Sequence, residues 1–232
     1  MAHDRVLITP LHAIVDIDVA AGAGWAAADL ARAYMAGGAR LIQVRAKNLA
    51  SGQLLEVCDR VVQDARACGA AVIVNDRVDV ARLCAADGVH VGQDDVPASA
   101  AREQLGLEAI VGLSTHSAAQ AELALSQPVS YIAVGPVFGT RTKDTGYTAV
   151  GLELVRVVAG LAGQRPVVAI GGITLDTAPS VIEAGAASVA VITDLLATGD
   201  PVARTRAYLQ CLTDIAYSRR ARVPPGAPWR RE

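Results

Sequence analysis

The sequence predicts a single (β/α)8 barrel, on three observations. Eight short apolar runs of strand length recur along the chain, each followed by a longer amphipathic stretch. Alternating β and α at this spacing implies parallel strands joined by right-handed crossovers. The runs are apolar throughout rather than polar at every second place, the pattern of strands covered by helices on one face and by a packed barrel interior on the other. The 232 residues suit one such unit, since these barrels commonly run to about 250 residues. A doubly wound open sheet is the competing arrangement, but the GxGxxG turn of its dinucleotide-binding version is missing after the first run.

In chain order, LHAIVDID (11–18) is the first strand and Trp25–Met35 a helical pattern; ARLIQV follows, with a helical pattern over Ser51–Ala67. AAVIVN is the third strand, Val78–Ala86 its helix, DGVHV the fourth strand and EAIVGL the fifth, with a helical pattern over Ser117–Ser126. SYIAV is the sixth strand, Leu152–Leu161 the next helix, RPVVAI the seventh strand, Thr174–Glu183 its helix and ASVAVI the eighth strand. No linker or low-complexity block interrupts the series, so residues 1–217 read as one barrel domain. Residues 218–232 change to SRRARVPPGAPWRRE, where prolines and like charges leave little to pack, and a loose Arg/Pro-rich tail is expected.

With 52% apolar residues and a formal charge of −2, the chain can bury a large core but lacks the net cationic field that would hold nucleic acid or anionic lipid. Small-molecule partners are favoured, and a homo-oligomer is compatible with this composition. The five arginines of the tail could touch an acidic partner, though a solubilising end is the plainer reading. Cys58, Cys68, Cys84 and Cys211 show no CxxC spacing, so neither a zinc site nor a disulfide framework is indicated. The first residues, MAHDRVLITP, carry no apolar core of signal-peptide length, and no run of about 18 uncharged apolar residues occurs. A cytoplasmic protein is expected.

In a barrel the carboxyl ends of the strands share one rim, where catalytic groups gather. The second strand ends in QVRAK, which sets Gln43, Arg45 and Lys47 at alternate positions and so on one side. Ordinary surface charges would look the same, so this weighs only with its neighbours. The third strand ends in VNDR and the fourth continues through VHVGQDD. Asp76 and either Asp94 or Asp95 then finish adjacent strands roughly 5 Å apart. Two carboxylates at one rim suit Mg2+, which is held by one or two of them while substrate phosphates complete its shell. Capping competes with this: Asp76 for the helix from Val78, Asp94 or Asp95 for the turn before Pro97.

The fifth strand ends in GLSTHS, offering Ser114, Thr115 and His116, where Ser114 or Ser117 could equally cap a helix. The sixth leads into VGPVFGTRTKDTGYTAVG, Val134 to Gly151. Hydroxyls and cations between glycines suggest a loop that closes on an anion, with Lys143 joining Arg45 and Lys47 over the rim. The seventh ends in GGIT and the eighth in VITD. Loops after these strands are the usual phosphate cradle of the fold, with backbone N–H groups and helix N-termini as donors. Gly171 and Gly172 permit a close backbone approach there.

Together QVRAK, VNDRVDVARLCAADGVHVGQDD, GLSTHS, GPVFGTRTK, AIGGIT and VAVIT, in this order over Leu11 to about Leu212, resemble the thiamine phosphate synthase family. The resemblance implies a (β/α)8 barrel that joins 4-amino-2-methyl-5-hydroxymethylpyrimidine diphosphate to 4-methyl-5-(2-phosphooxyethyl)thiazole, giving thiamine phosphate and pyrophosphate. It implies Asp76 and Asp95 as Mg2+ ligands, and Arg45, Lys47, Asn75 and Lys143 as diphosphate contacts. Gln43 and Ser114 would belong to the pyrimidine side, and Thr140, Thr142, Gly172, Ile192 and Thr193 would hold the thiazole phosphate. Arg45, Lys47, Lys143 and Ser114 are thereby the expected catalytic set. Two departures stand out: Ala46 where the family usually has an acidic residue, and Thr193 where it often has serine.

A thiazole tautomerase resembles the same pattern, with a histidine at the place of His116, but needs no metal ligand and no lysine for a leaving diphosphate. GQDD and TRTK therefore speak for the synthase. A non-catalytic phosphate-binding barrel is a third reading, which would not need paired carboxylates and clustered cations. The implied mechanism is dissociative: the C–O bond to diphosphate breaks before the thiazole nitrogen attacks. Charge then builds on the leaving group, where Mg2+, Arg45, Lys47 and Lys143 would stabilise it. GTRTKDTG is expected to be a flap hinged at Gly139 and Gly146 that keeps water from the cation.

Overall fold

The computed structural model describes residues 8–139 and 148–222. Eight parallel strands close into a barrel in chain order: β1 Leu11–Asp16, β2 Leu41–Arg45, β3 Ala71–Asn75, β4 Gly88–Val91, β5 Ile110–Thr115, β6 Tyr131–Val134, β7 Val167–Ile170 and β8 Ser188–Val191. The last strand pairs back onto the first, Leu11 opposite Val189. Around it lie α1 Ile17–Gly22, α2 Ala27–Ala36, α3 Ser51–Cys68, α4 Val78–Leu83, α5 Ala98–Leu105, α6 Ala118–Leu125, α7 Gly151–Ala162, α8 Ala178–Glu183 and α9 Pro201–Arg222. A 3-10 turn, Thr193–Leu196, follows β8. Each of the eight apolar runs is a strand, and the expected fold stands.

Two separate cores explain why the runs are apolar at every position. Inside the barrel, Ile14, Leu41, Ile73, Ile110, Tyr131, Ala133, Val168 and Ala190 pack together. Outside it, alternate residues such as Ala13, Val15, Ile42, Val44, Val72 and Val74 meet Leu30, Tyr34, Val61 and Val155 of the helices. Polar groups enter on the interior parity: His12, Gln43, Arg45, Asn75, His90 and Ser114 are all buried. The interior therefore combines an apolar cluster with the polar side chains of the site.

The structure differs from expectation at two ends. Ile17 and Asp18, included in the first run, belong to α1, because Asp16 leaves the strand with φ −83° and ψ 119° and its carboxylate accepts the Val19 N–H at 3.2 Å. That is an N-cap, and it starts a helix where an apolar pattern alone would continue a strand. At the other end, α9 runs past Tyr217 to Arg222, while residues 223–232 lie outside the described residues. Asp200 starts this helix by accepting the Ala203 N–H at 2.9 Å, and Pro201 suits a first helical position. No described helix is long and apolar enough to cross a membrane.

Candidate active site

One cavity opens at the carboxyl ends of the strands. Its wall includes His12 and Ile14 of β1, Gln43 and Arg45 of β2, His90 of β4 and Ser114 of β5. Tyr131 and Ala133 of β6 complete the floor, and Gly171, Gly172, Ile192 and Thr193 close the far side. Six of the residues singled out from sequence thus meet in one place: Gln43, Arg45, Ser114, Gly172, Ile192 and Thr193. Lys47 is exposed beyond the end of β2, outside this lining, because the strand stops at Arg45 and the alternation that aligned the first two residues stops with it. Asn75 is buried at the end of β3, also outside the lining. Thr140, Thr142, Lys143 and Gly146 lie outside the described residues.

Arg45 is held by the last residue of β1. Asp16 stands directly opposite it in the β1–β2 register, and its Oδ2 accepts from Arg45 Nη1. Both side chains are almost fully buried, and Arg45 Nε has no partner among the described residues. Strand parity was the available signal: Asp16 shares the interior row with His12 and Ile14.

A second polar group spans the floor. The His90 ring links Tyr131 Oη, 2.9 Å from Nδ1, to Ser114 Oγ, 2.8 Å from Nε2, and stacks on Tyr131 with centroids 5.6 Å apart. Residue 112 has to be glycine, since a Cβ there would run into the Tyr131 ring and come within 2.6 Å of His90 Nδ1. Burial raises the Tyr131 phenol far above its ordinary range, so it remains a hydroxyl. His12 lies 3.4 Å from the Gln43 amide nitrogen through Nε2. An amide donating there leaves the imidazole proton on Nδ1, which has no partner among the described residues. Burial lowers the His12 pKa to about 3, which makes it a neutral ring.

The two carboxylates behave differently. Asp76 sits at φ 62°, its own N–H donates to the His90 carbonyl at 2.7 Å, and the Arg77 N–H closes a tight turn onto the Asn75 carbonyl at 2.8 Å. A left-handed conformation at a residue with a Cβ costs about 1–2 kcal/mol and persists only where the surroundings impose it. Capping does not put Asp76 at the start of α4: Arg77 holds the cap position, and the Arg77 side chain makes no cap bond. It holds for one oxygen of Asp95, whose Oδ2 accepts the Gly92 N–H at 2.7 Å and shapes the turn after β4. Gln93 Nε2 ties that turn to the Ser114 carbonyl at 2.6 Å. Ser117 caps α6 by accepting the Gln120 N–H, leaving Ser114 to the cavity. His116 lines the cavity, with Nδ1 against the Gly135 carbonyl.

On the far side Gly172 adopts φ 63°, and a Cβ there would meet the Gly139 carbonyl oxygen at 2.5 Å and Phe138 Cβ at 2.9 Å. The helix expected directly after GGIT begins only at Ala178, because a turn intervenes in which the Thr174 N–H bonds Thr177 Oγ1 at 2.9 Å. After β8 the 3-10 turn starts at Thr193 itself. Helical character therefore reaches the cavity from one of the two loops.

Fold and cavity together define a class: a barrel enzyme for phosphorylated small molecules, with a buried guanidinium on one side of its mouth and glycine-rich backbone on the other. Residues 11–195 match the family described as Thiamine monophosphate synthase, and the chain belongs to that family. It is 42% identical over 195 residues to a thiamine-phosphate synthase of Roseiflexus sp. (strain RS-1), covering 84% of this chain and 82% of that one. A thiamine-phosphate synthase of Moorella thermoacetica is 39% identical over 192 residues, 83% of this chain and 91% of that one. The solved thiamine phosphate pyrophosphorylase from Pyrococcus furiosus superposes with TM-score 0.80 at 30% identity, over 89% of this chain and 96% of that one. A 3-hexulose-6-phosphate synthase, TM-score 0.62 at 16% identity over 87% of this chain and 99% of that one, shares the barrel alone. As a member of its family the chain is a transferase of thiamine biosynthesis.

Proposed function

We propose that the chain condenses 4-amino-2-methyl-5-hydroxymethylpyrimidine diphosphate with 4-methyl-5-(2-phosphooxyethyl)thiazole, releasing pyrophosphate by a dissociative displacement. The observation that carries this reading is Arg45, a buried guanidinium on the cavity wall with one nitrogen fixed by Asp16 and Nε left without a partner among the described residues. A buried unmade donor costs about 1–3 kcal/mol, which an arriving anion offsets. Because Asp16 fixes the guanidinium beforehand, little reorganisation remains when charge builds on the leaving group. His90 holds Ser114 Oγ, and the Gln43 amide and neutral His12 present a polar but uncharged floor for an aminopyrimidine. The apolar wall of Ile14, Ala133, Val168 and Ile170 excludes water from a cation formed there.

Asp76 and Asp95 fit a magnesium ion. Both are hard oxygen donors after neighbouring strands, and the bond to Gly92 engages one Asp95 oxygen and not the other. Magnesium is commonly held by one or two carboxylates while substrate phosphate completes its shell. When bound, the ion would supply positive charge to the departing diphosphate. Lys47, Asn75 and Lys143 are assigned to the same diphosphate, Thr140 and Thr142 to the thiazole phosphate, on family likeness.

The test is incubation of the chain with both substrates and Mg2+, following thiamine phosphate. Formation of product that stops in chelator and resumes with Mg2+ is expected. Absence of product would return the chain to a tautomerase or a binding barrel, and undiminished turnover in chelator would remove the metal.

A further inference from the structure

One carboxylate joins the loops after β7 and β8, which the family likeness assigns to the thiazole phosphate of the proposed reaction. Asp194 follows Thr193 in the 3-10 turn, and its side chain is 13% exposed. Its Oδ2 accepts from three donors: the Leu175 N–H of the loop after β7 at 3.0 Å, Arg204 Nη2 at 2.8 Å and Tyr208 Oη at 2.5 Å. Arg204 grips the same residue twice, since its Nε also donates to the Asp194 carbonyl at 3.2 Å. Arg204 and Tyr208 stand one turn apart on α9, with the guanidinium 5.8 Å from the ring centroid. Burial first, and then the bond to Asp194, raise the Tyr208 phenol far above its ordinary range, so it stays a donor.

The Thr174–Thr177 turn and the Phe138 N–H, which donates to the Gly171 carbonyl at 2.9 Å, brace parts of this loop, and Asp194 adds the tie to the Thr193 turn. Gly171 and Gly172 lie at φ 103° and 63° and bring no side chain to anchor the backbone. Glycine also loses more conformational freedom than other residues when it is fixed. A cradle of backbone N–H groups stabilises an anion only if those groups are already aimed. We propose that Asp194 is the positioning residue of this cradle: through Leu175 it sets the Gly171–Thr174 backbone against the Thr193 turn, so that both loops meet one phosphate. The proposal rests on the phosphate-cradle reading. The competing role is plain docking of α9 onto the barrel.

The full-length chain separates these roles through Asp194→Asn and Tyr208→Phe. Asparagine keeps the volume and one acceptor but loses the charge that three donors share; phenylalanine keeps the buried ring. Both KM values, kcat, the melting temperature and calorimetric binding of the thiazole phosphate and of its unphosphorylated alcohol are measured. A rise of about tenfold in KM for the thiazole phosphate is expected for Asp194→Asn and about threefold for Tyr208→Phe. The diphosphate KM and alcohol binding should stay within about twofold, since neither uses the cradle. A lower melting temperature with both KM values unchanged would overturn the proposal in favour of docking. Parallel rises in both KM values would overturn it in favour of general disorder. Should Asp194→Asn fail to fold, Tyr208→Phe decides by the same criteria. If the wild-type chain itself binds no thiazole phosphate, the cradle reading falls and the proposal with it; tight wild-type binding with unaltered variants sinks the positioning role alone.

Discussion

Asp16 caps α1 through one oxygen and holds Arg45 through the other, so one side chain serves a helix start and the cavity wall. Removing the charge leaves Arg45 buried without a counter-ion, which typically costs about 3–5 kcal/mol. Asp16→Asn should therefore lower stability by about that amount in urea unfolding; a loss under about 1 kcal/mol would show that Arg45 finds other compensation. This pair was not legible in the sequence, because its members are 29 residues apart and meet only through the β1–β2 register. His12 escaped for another reason: one histidine in an apolar strand reads as core. It has a measurable signature. Its folded pKa, about 3, lies below the ordinary 6.5, so the unfolded chain takes up a proton that the folded chain declines. Its contribution is therefore complete above pH 6.5 and is lost as pH falls toward 3. Between pH 7 and 4.5 the wild-type chain should lose about 3 kcal/mol more than His12→Gln; equal losses would mean that His12 is protonated in the folded state.

Elements were legible where one physical pattern decided them, and boundaries where a single side chain did were not. Each of the eight apolar runs holds a strand, with β2 and β5 running on to Arg45 and Thr115, because two cores demand apolar residues on both faces. The β1–α1 boundary shifted because a cap outweighed an apolar pattern, and the helix after GGIT started late because threonines built a turn first. Gly172 shows how an element-scale reading changes with contacts in view. From sequence, its lack of a Cβ serves the ligand; in the fold, a Cβ would strike the Phe138–Gly139 backbone, where β6 hands over to the GTRTKDTG segment. Gly172→Val should accordingly lower the melting temperature and raise the KM for both substrates, since strain at φ 63° and displacement of that segment's start act together. A selective rise for the thiazole phosphate at unchanged melting temperature would restore the simpler ligand-contact explanation.

At the scale of the whole molecule, closure of the barrel depends on its last helix. α9 packs on α2, α8, β1 and the 3-10 turn, so it spans the seam where β8 meets β1. Tyr208 and Leu212 are fully buried there, and Thr205 fits so tightly under α2 that a Cβ at Gly37 would overlap it. Burying two such side chains contributes about 1.5–3 kcal/mol each, a large share of the 5–15 kcal/mol that holds a domain together. Leu212 is buried in the core, and Ile215 packs against the same core. Beyond these, the arginine- and proline-rich end reads from sequence as dispensable. Two truncations test this division. A chain ending at Arg222 should keep its melting temperature and turnover, whereas one ending at Asp200 should fail to fold cooperatively, because the seam and the Asp194 bonds go together. Loss of turnover with an intact melting temperature in the shorter deletion would instead give the last ten residues a direct role at the site.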